Sequence, residues 1–201
     1  GANGYTGKLA LQEALRRGLR PIVAGRNREA LAALAAPHGL PVRAFDLADA
    51  GTVASALNGV ALVLHCAGPF SATCAPMLEG CLAVGAHYLD ITGEVDVFAH
   101  CHAQDARAKA KGIVVLPGSG FDVVPTDCVA AMLKRELPDA TELVLAFEAT
   151  GGPSPGTAKT SVEGLARHLD RLTRFGVLHR VVEHVRHRTH DLRRVAGDQE
   201  V

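Results

Sequence analysis

The chain opens Gly1-Ala2-Asn3-Gly4-Tyr5-Thr6-Gly7, glycines spaced by three that run straight into a segment of helical periodicity. Glycine allows a close backbone approach and leaves the first N–H groups of a helix uncovered, so a G-x-x-G-x-x-G turn at a helix start suits a pyrophosphate. Gly1 and Gly4 would form the turn under the phosphates, and Gly7 would let the helix pack tightly on a strand. In a chain with 21 glycines a plain glycine turn looks the same. The weight therefore falls on context: a helix, a strand and a charged residue come next at the right intervals.

Gly7, Leu11, Ala14, Leu15 and Gly18 fall at i, i+4, i+7, i+8 and i+11, which gives the first helix a small apolar face and a glycine where its C-terminal cap belongs. Beyond it, short apolar runs alternate with amphipathic segments roughly every 25 to 30 residues. Strands are expected at 21–25, 41–47, 60–66, 87–91, 113–116 and 142–149, and the apolar run 60–66 is expected to be buried on both faces. Asn27 can cap the second helix, with Leu31, Leu34 and Ala35 on one stripe. Pro76 is expected near the start of the fourth helix and Gly112 after the fifth.

This alternation predicts an α/β fold, a doubly wound parallel sheet. Such a sheet carries a strand immediately before the glycine loop, and none stands there. The expectation is a sheet lacking its first strand, the sequence starting inside its natural gene product after roughly 5 to 10 Val/Ile-rich residues. The expected domains are 1–119 for nucleotide binding, 120–166 as the start of a second, α+β substrate domain, and a divergent tail at 167–201. The tail holds five of the ten histidines and eight arginines without a lysine, and Leu178, Val181, Val182 and Val185 keep helical spacing.

Lys plus Arg number 21 and so do Asp plus Glu, so no net field steers the chain toward nucleic acid or an anionic membrane. A small-molecule partner is the expectation. No apolar run is long enough for a membrane span. The assembly state is open, a homodimer included. The five cysteines, Cys66, Cys74, Cys81, Cys101 and Cys128, form no C-x-x-C pair and read as reduced core thiols of a cytoplasmic protein. After the second expected strand comes Gly25-Arg26-Asn27-Arg28, with no acid until Glu29. A carboxylate there would accept ribose hydroxyls, whereas an arginine fork suits a 2'-phosphate, so NADP is favoured over NAD as cofactor. Solvated arginines at a helix start are the plain alternative.

Five segments in order, GANGYTG (1–7), AGRN (24–27), CAGPF (66–70), HYLDITGE (87–94) and GFDVVPTD (120–127), resemble the saccharopine dehydrogenase-like family over about residues 1–165. The resemblance implies an NADP-binding Rossmann domain and hydride chemistry with NADPH. It places the pyrophosphate on Gly1, Asn3, Gly4, Tyr5, Thr6 and Gly7, the 2'-phosphate on Arg26, and the adenine beside Asp46 and Leu47. It puts Cys66, Ala67, Gly68, Pro69 and Phe70 at the nicotinamide ribose, with Phe121 and Asp122 close to the reacting carbon. His65 stands where relatives commonly carry Asn, and the chain after about Arg167 departs from the family pattern.

Reduction by NADPH often needs a proton donor near the developing charge. The candidates at strand ends are His65, Asp90, Glu94, Asp122 and Asp127, and a carboxyl desolvated at the ligand edge could hold its proton near neutrality. Against them stand a satisfied core histidine at 65 and a first-turn helix acid at 127. Tyr-x-x-x-Lys chemistry is excluded, because only Tyr5 and Tyr88 exist and Leu9 and Thr92 occupy the fourth place after them. No metal is expected: consecutive His100-Cys101-His102 diverge on a helix, and His184, His187 and His190 lack a closing segment. The expected function is an NADP-dependent oxidoreductase acting on a small-molecule, acyl or imine substrate. The alternatives are a nucleotide-sensing regulatory module without turnover and a lipid-associated enoyl reductase partner.

Overall fold

A computed structural model describes residues 1–121, 123–144, 158 and 162. The chain divides into two compact units, Gly1–Ala158 and Lys159–Val201, and the helices and strands from Tyr5 to Glu136 lie in the first. Helix α1 (Tyr5–Arg16) leads to β1 (Val23–Gly25), α2 (Arg28–Ala35), a 3-10 turn (Ala36–His38) and β2 (Val42–Ala44). Then come α3 (Ala50–Ala56), β3 (Leu62–His65), α4 (Phe70–Val84), β4 (His87–Asp90), α5 (Val95–His102), α6 (Asp105–Lys111), β5 (Val115–Leu116) and α7 (Val124–Glu136).

Every described strand pairing is parallel, β1 with β2 and β3 with β4 with β5. The strands form two hydrogen-bonded sheets, β1-β2 and β3-β4-β5. The doubly wound expectation puts the strand before the glycine loop between β1 and β3, and these two share no ladder. Where a ladder would run, the first residues reach across at one end: Ala2 N–H donates to the Ala24 carbonyl at 3.2 Å, and Gly1 lies against the Cys66 backbone.

The helix signals act as read. Leu11 and Gly7 are buried on α1, and Gly18 takes φ +74° just past its end, the left-handed conformation that glycine adopts without a Cβ penalty. The Asn27 side chain accepts from Ala30 N–H at 3.0 Å, and Leu31 and Ala35 are fully buried beneath it. Val23, Leu31, Ala35, Leu40 and Leu11 form one core cluster, and a larger one joins α3, α4, α5 and α6 to the second sheet around Leu78, Cys81 and Tyr88.

Several expectations need correction. The strands are shorter than the apolar runs, because ladder pairing rather than apolarity sets their ends. Residues 142–144 form no strand, and the rest of the expected strand at 142–149 lies outside the described residues. Strand β3 is not buried on both faces: Leu62 is 48% and Leu64 44% exposed, whereas Val63 packs on the core and His65 is buried. Helix α4 packs on the side that Val63 and His65 occupy. Pro76 sits inside α4 rather than near its start, since the Glu94 carboxylate clasps the amides of Phe70 and Ser71 and starts the helix earlier than its own sequence signals. The single helix expected before Gly112 is two, α5 and α6. Cys74, Cys81 and Cys101 are core thiols as expected, but Cys66 is half-buried and Cys128 exposed.

Gly80 in α4 lies against α3, where a Cβ would stand 2.5 Å from Val53 Cγ1 and 3.1 Å from Leu57 Cδ1. Val53 is fully buried and stiff at χ1, so it has nowhere to retreat. Gly80→Val is expected to cost about 1–3 kcal/mol of stability, seen as a lower urea midpoint with unchanged slope; an unchanged midpoint would mean the two helices are not in this close register.

Candidate cofactor site

The glycine loop is wedged between strand ends. A Cβ on Gly1 would overlap the Cys66 carbonyl, and one on Gly7 would overlap the Gly1 carbonyl and the Ala2 backbone, so both positions exclude any side chain. Gly4 is the N-cap of α1, and its N–H donates to Gly1 O at 3.0 Å. No side chain caps this helix and no acid stands in its first turn. Asn3, Gly4 and Tyr5 are exposed. The uncapped amides and the positive end of the helix dipole thus face outward over a backbone surface cleared of side chains, an arrangement that fits phosphate oxygens.

Around this cradle the other candidates take their places. Arg26 follows β1 directly and is exposed, and Gly25 lies beside Gly1 with only 3.7 Å between a built Cβ and the Gly1 nitrogen. Asp46 is exposed just past β2, where Oδ1 accepts from Ala48 N–H at 3.0 Å, and Leu47 packs on the core. Cys66, Ala67, Gly68, Pro69 and Phe70 run from the end of β3 into α4, at the same strand edge as the loop, and burial pushes the Cys66 thiol above its usual value. Phe121 is 71% exposed, whereas Asp122 lies outside the described residues. Asp127 is an exposed first-turn acid of α7.

Three of the proposed proton donors are tied into the framework. Asp90 ends β4 with no exposed surface, and its carboxyl oxygens accept from Tyr88 O–H at 2.7 Å, Thr92 N–H at 3.0 Å and Gly118 N–H at 2.8 Å. Its backbone carbonyl accepts from both N–H and Oγ of Ser119, at 2.8 and 2.6 Å. Glu94 reaches the start of α4, taking Phe70 N–H at 2.9 Å and Ser71 N–H at 2.7 Å on its two oxygens. This clasp fills the α4 N-terminus with an anion, a favourable placement against the helix dipole.

His65 is buried, its ring edge-on to Phe70 at 5.4 Å and its Nε2 3.0 Å from Thr73 Oγ1. The Thr73 hydroxyl spends its one proton on the Ala67 and Pro69 carbonyls, at 2.6 and 3.1 Å, so Nε2 is the donor to it and the ring is held in one tautomer. Burial pushes the His65 pKa down to about 3. The imidazole is neutral at physiological pH and brings no proton of a cationic acid to the crevice.

Sequence reading did not find the Tyr88–Asp90–Gly118 hub, the Glu94 clasp or the role of Thr73. The spacing within HYLDITGE was the available signal: alternate residues of a strand end followed by a turn, with two acids placed to bond backbone rather than solvent.

Because the folded pKa of His65 is depressed, the unfolded chain binds the extra proton between about pH 6.5 and 3, and stability falls as pH drops through that window. Going from pH 7 to pH 4.5, the wild-type chain is expected to lose roughly 2–3 kcal/mol more unfolding free energy than His65→Asn, measured by urea denaturation at both pH values. Parallel losses would show that the histidine titrates normally.

Comparison with known proteins bears on this geometry. The chain is 27% identical over 188 residues to a saccharopine dehydrogenase-like oxidoreductase of Mus musculus, a match covering 84% of this chain and 42% of that protein. It is 29% identical over 188 residues to a Mycobacterium tuberculosis protein named as a trans-acting enoyl reductase, covering 83% of this chain and 43% of that one. The chain therefore spans less than half the length of these relatives. Among solved structures, apo saccharopine dehydrogenase (L-Glu forming) from Saccharomyces cerevisiae superposes with a TM-score of 0.57 at 16% identity, over 69% of this chain and 29% of that one, a likeness of fold. The family model described as saccharopine dehydrogenase NADP binding domain matches residues 1–116 of the 201. The chain belongs to that family, and its cofactor is NADP.

Proposed function

We propose that this chain supplies the coenzyme-holding part of an oxidoreductase that moves a hydride between NADP(H) and a small electrophile, an imine, a carbonyl or an enoyl group. The observation that carries the reading is the uncapped α1 N-terminus standing on a backbone surface from which Gly1 and Gly7 exclude every side chain, with Arg26 exposed at the neighbouring strand end. The reduced coenzyme, when bound, supplies the hydride. Gly1, Asn3, Gly4, Tyr5, Thr6 and Gly7 would hold the pyrophosphate, Arg26 the 2'-phosphate, and Asp46 and Leu47 the adenine side. Residues 66–70 would border the nicotinamide ribose, with Phe121 over the reacting end. The clasp from Glu94 fixes the first turn of α4 at that border, and Asp90 fixes the loop at Gly118 and Ser119. The enoyl class draws its support from the name of the mycobacterial relative. A cytoplasmic setting rests on the free thiols, and no described helix is long and apolar enough to cross a membrane.

One observation favours a second reading, a nucleotide-sensing module without turnover. Among the described candidates, His65 is buried and neutral, and Asp90 and Glu94 spend their oxygens on backbone amides and Tyr88. An enzyme on this scaffold would take its proton from solvent, from substrate, from exposed Asp127 or from residues outside those described.

Arg26→Asp is expected to weaken NADPH about 10- to 100-fold, the worth of a charge-assisted fork on phosphate, while NADH changes less than about threefold, as measured by coenzyme fluorescence titration. Equal losses for both would remove Arg26 from the site. NADPH oxidation with imine, carbonyl and enoyl substrates then separates enzyme from sensor.

A further inference from the structure

Behind the cofactor edge lies a cluster that the oxidoreductase reading does not use. Cys74 on α4 and Cys101 on α5 are 2% and 3% exposed, and their sulfurs stand 3.5 Å apart. All five cysteines are free thiols. The two helices are packed directly on each other. A groove of about 720 Å³ runs between α5, α6 and β5, and Cys101 lines it together with Phe98, His102 and Val115. The pair is therefore buried in the core, and its Cys101 member stands in the wall of a space large enough for a small oxidant.

We infer that Cys74 and Cys101 are an oxidisable dithiol, whose disulfide, formed by a hydroperoxide entering along that groove, staples α4 to α5. The step balances as two thiols and one peroxide. A first sulfur, as thiolate, attacks the peroxide oxygen; the O–O bond breaks, the sulfur becomes a sulfenic acid, and the departing hydroxide takes the thiol proton as water. The second sulfur displaces the sulfenic oxygen, which leaves as a second water, so two electrons and two protons pass from the thiols to hydrogen peroxide. The hydrogen bond from Cys101 holds the Cys74 thiol below its ordinary value, which favours the reactive anion within the pair. Burial and the neighbouring Cys74 push Cys81 up to about 12, so the third core thiol is inert by comparison.

The staple would close a 27-residue separation and sit beside the Tyr88 hydroxyl, which bonds Asp90. Asp90 in turn holds the backbone at Thr92 and Gly118. The oxidation state of the pair thus acts on the residues that shape the crevice edge, whatever occupies the crevice.

The test uses the folded, reduced chain, treated with a few equivalents of hydrogen peroxide, quenched, alkylated in denaturant and cleaved after glutamate. Cuts at Glu79 and Glu94 separate Cys74, Cys81 and Cys101 into different peptides. The expected product is a peptide pair lighter by two hydrogens, with fragment ions placing the bridge at Cys74 and Cys101, Cys81 still alkylated, and reversal by dithiothreitol. The oxidised chain should melt roughly 5–10 °C higher than the reduced one. Full alkylation of Cys74 and Cys101 at a peroxide level that oxidises exposed Cys128 would overturn the inference, as would an unchanged or lower melting temperature in the bridged form. Purified chain retaining one zinc that alkylation releases would also overturn it, because Cys74, Asp90 and Cys101 bring ligand atoms within 4.8 Å of one another and the set would then be a metal site. Mapping on the wild-type chain needs no substitution to fold, and it succeeds or fails independently of NADPH binding.

Discussion

A carboxyl group with no solvent contact organises the functional edge of this domain. Asp90 closes β4, and burying such a group costs several kcal/mol unless its oxygens are met by donors. Here Tyr88 O–H, Thr92 N–H and Gly118 N–H meet them. That requirement pulls two separate loops, the one after β4 and the one after β5, onto a single side chain. The crevice edge is therefore shaped by the satisfaction of one buried group, and the candidate residues on either side inherit their positions from it.

Two helix N-termini at the same edge show how local electrostatics divides the labour. Helix α4 begins under the Glu94 carboxylate, which occupies its first amides. Helix α1 begins with neither an acidic residue nor a side-chain cap, above backbone where a Cβ cannot fit. One end has its anion built in, and the other is left for an anion from outside. The contrast argues for a ligand at α1 more strongly than glycine spacing does, because many turns are rich in glycine, whereas among the described α-helices α1 alone starts with neither a capping side chain nor an acid on its first amides or in its first turn.

The same packing disarms the most obvious acid. A histidine at a strand end beside a cofactor loop invites a catalytic role, yet burial against Phe70 and a fixed hydrogen bond to Thr73 keep the His65 ring neutral. Its visible work is to hold Thr73, and through it the carbonyls of Ala67 and Pro69, in the turn between β3 and α4. Desolvation has converted a titratable residue into a framework donor.

The sequence by itself determined the alternating parallel architecture, the glycine cradle, the caps at Asn27 and Gly18 and the arginine after β1, because each depends on residues close together along the chain: helical period, φ preference, the chemistry of one turn. It could not determine which faces are covered, and so the exposure of Leu62 and Leu64 and the placing of Pro76 inside α4 were misread from apolarity and local helix signals. Nor could it reveal that Glu94 serves a helix that begins 24 residues earlier, that Asp90 reaches 28 residues forward to Gly118, or that two cysteines 27 apart touch. Only tertiary structure decided these, because hydrogen-bond satisfaction and burial are properties of neighbours in space, and the chain fixes those neighbours only after its strands have been laid side by side.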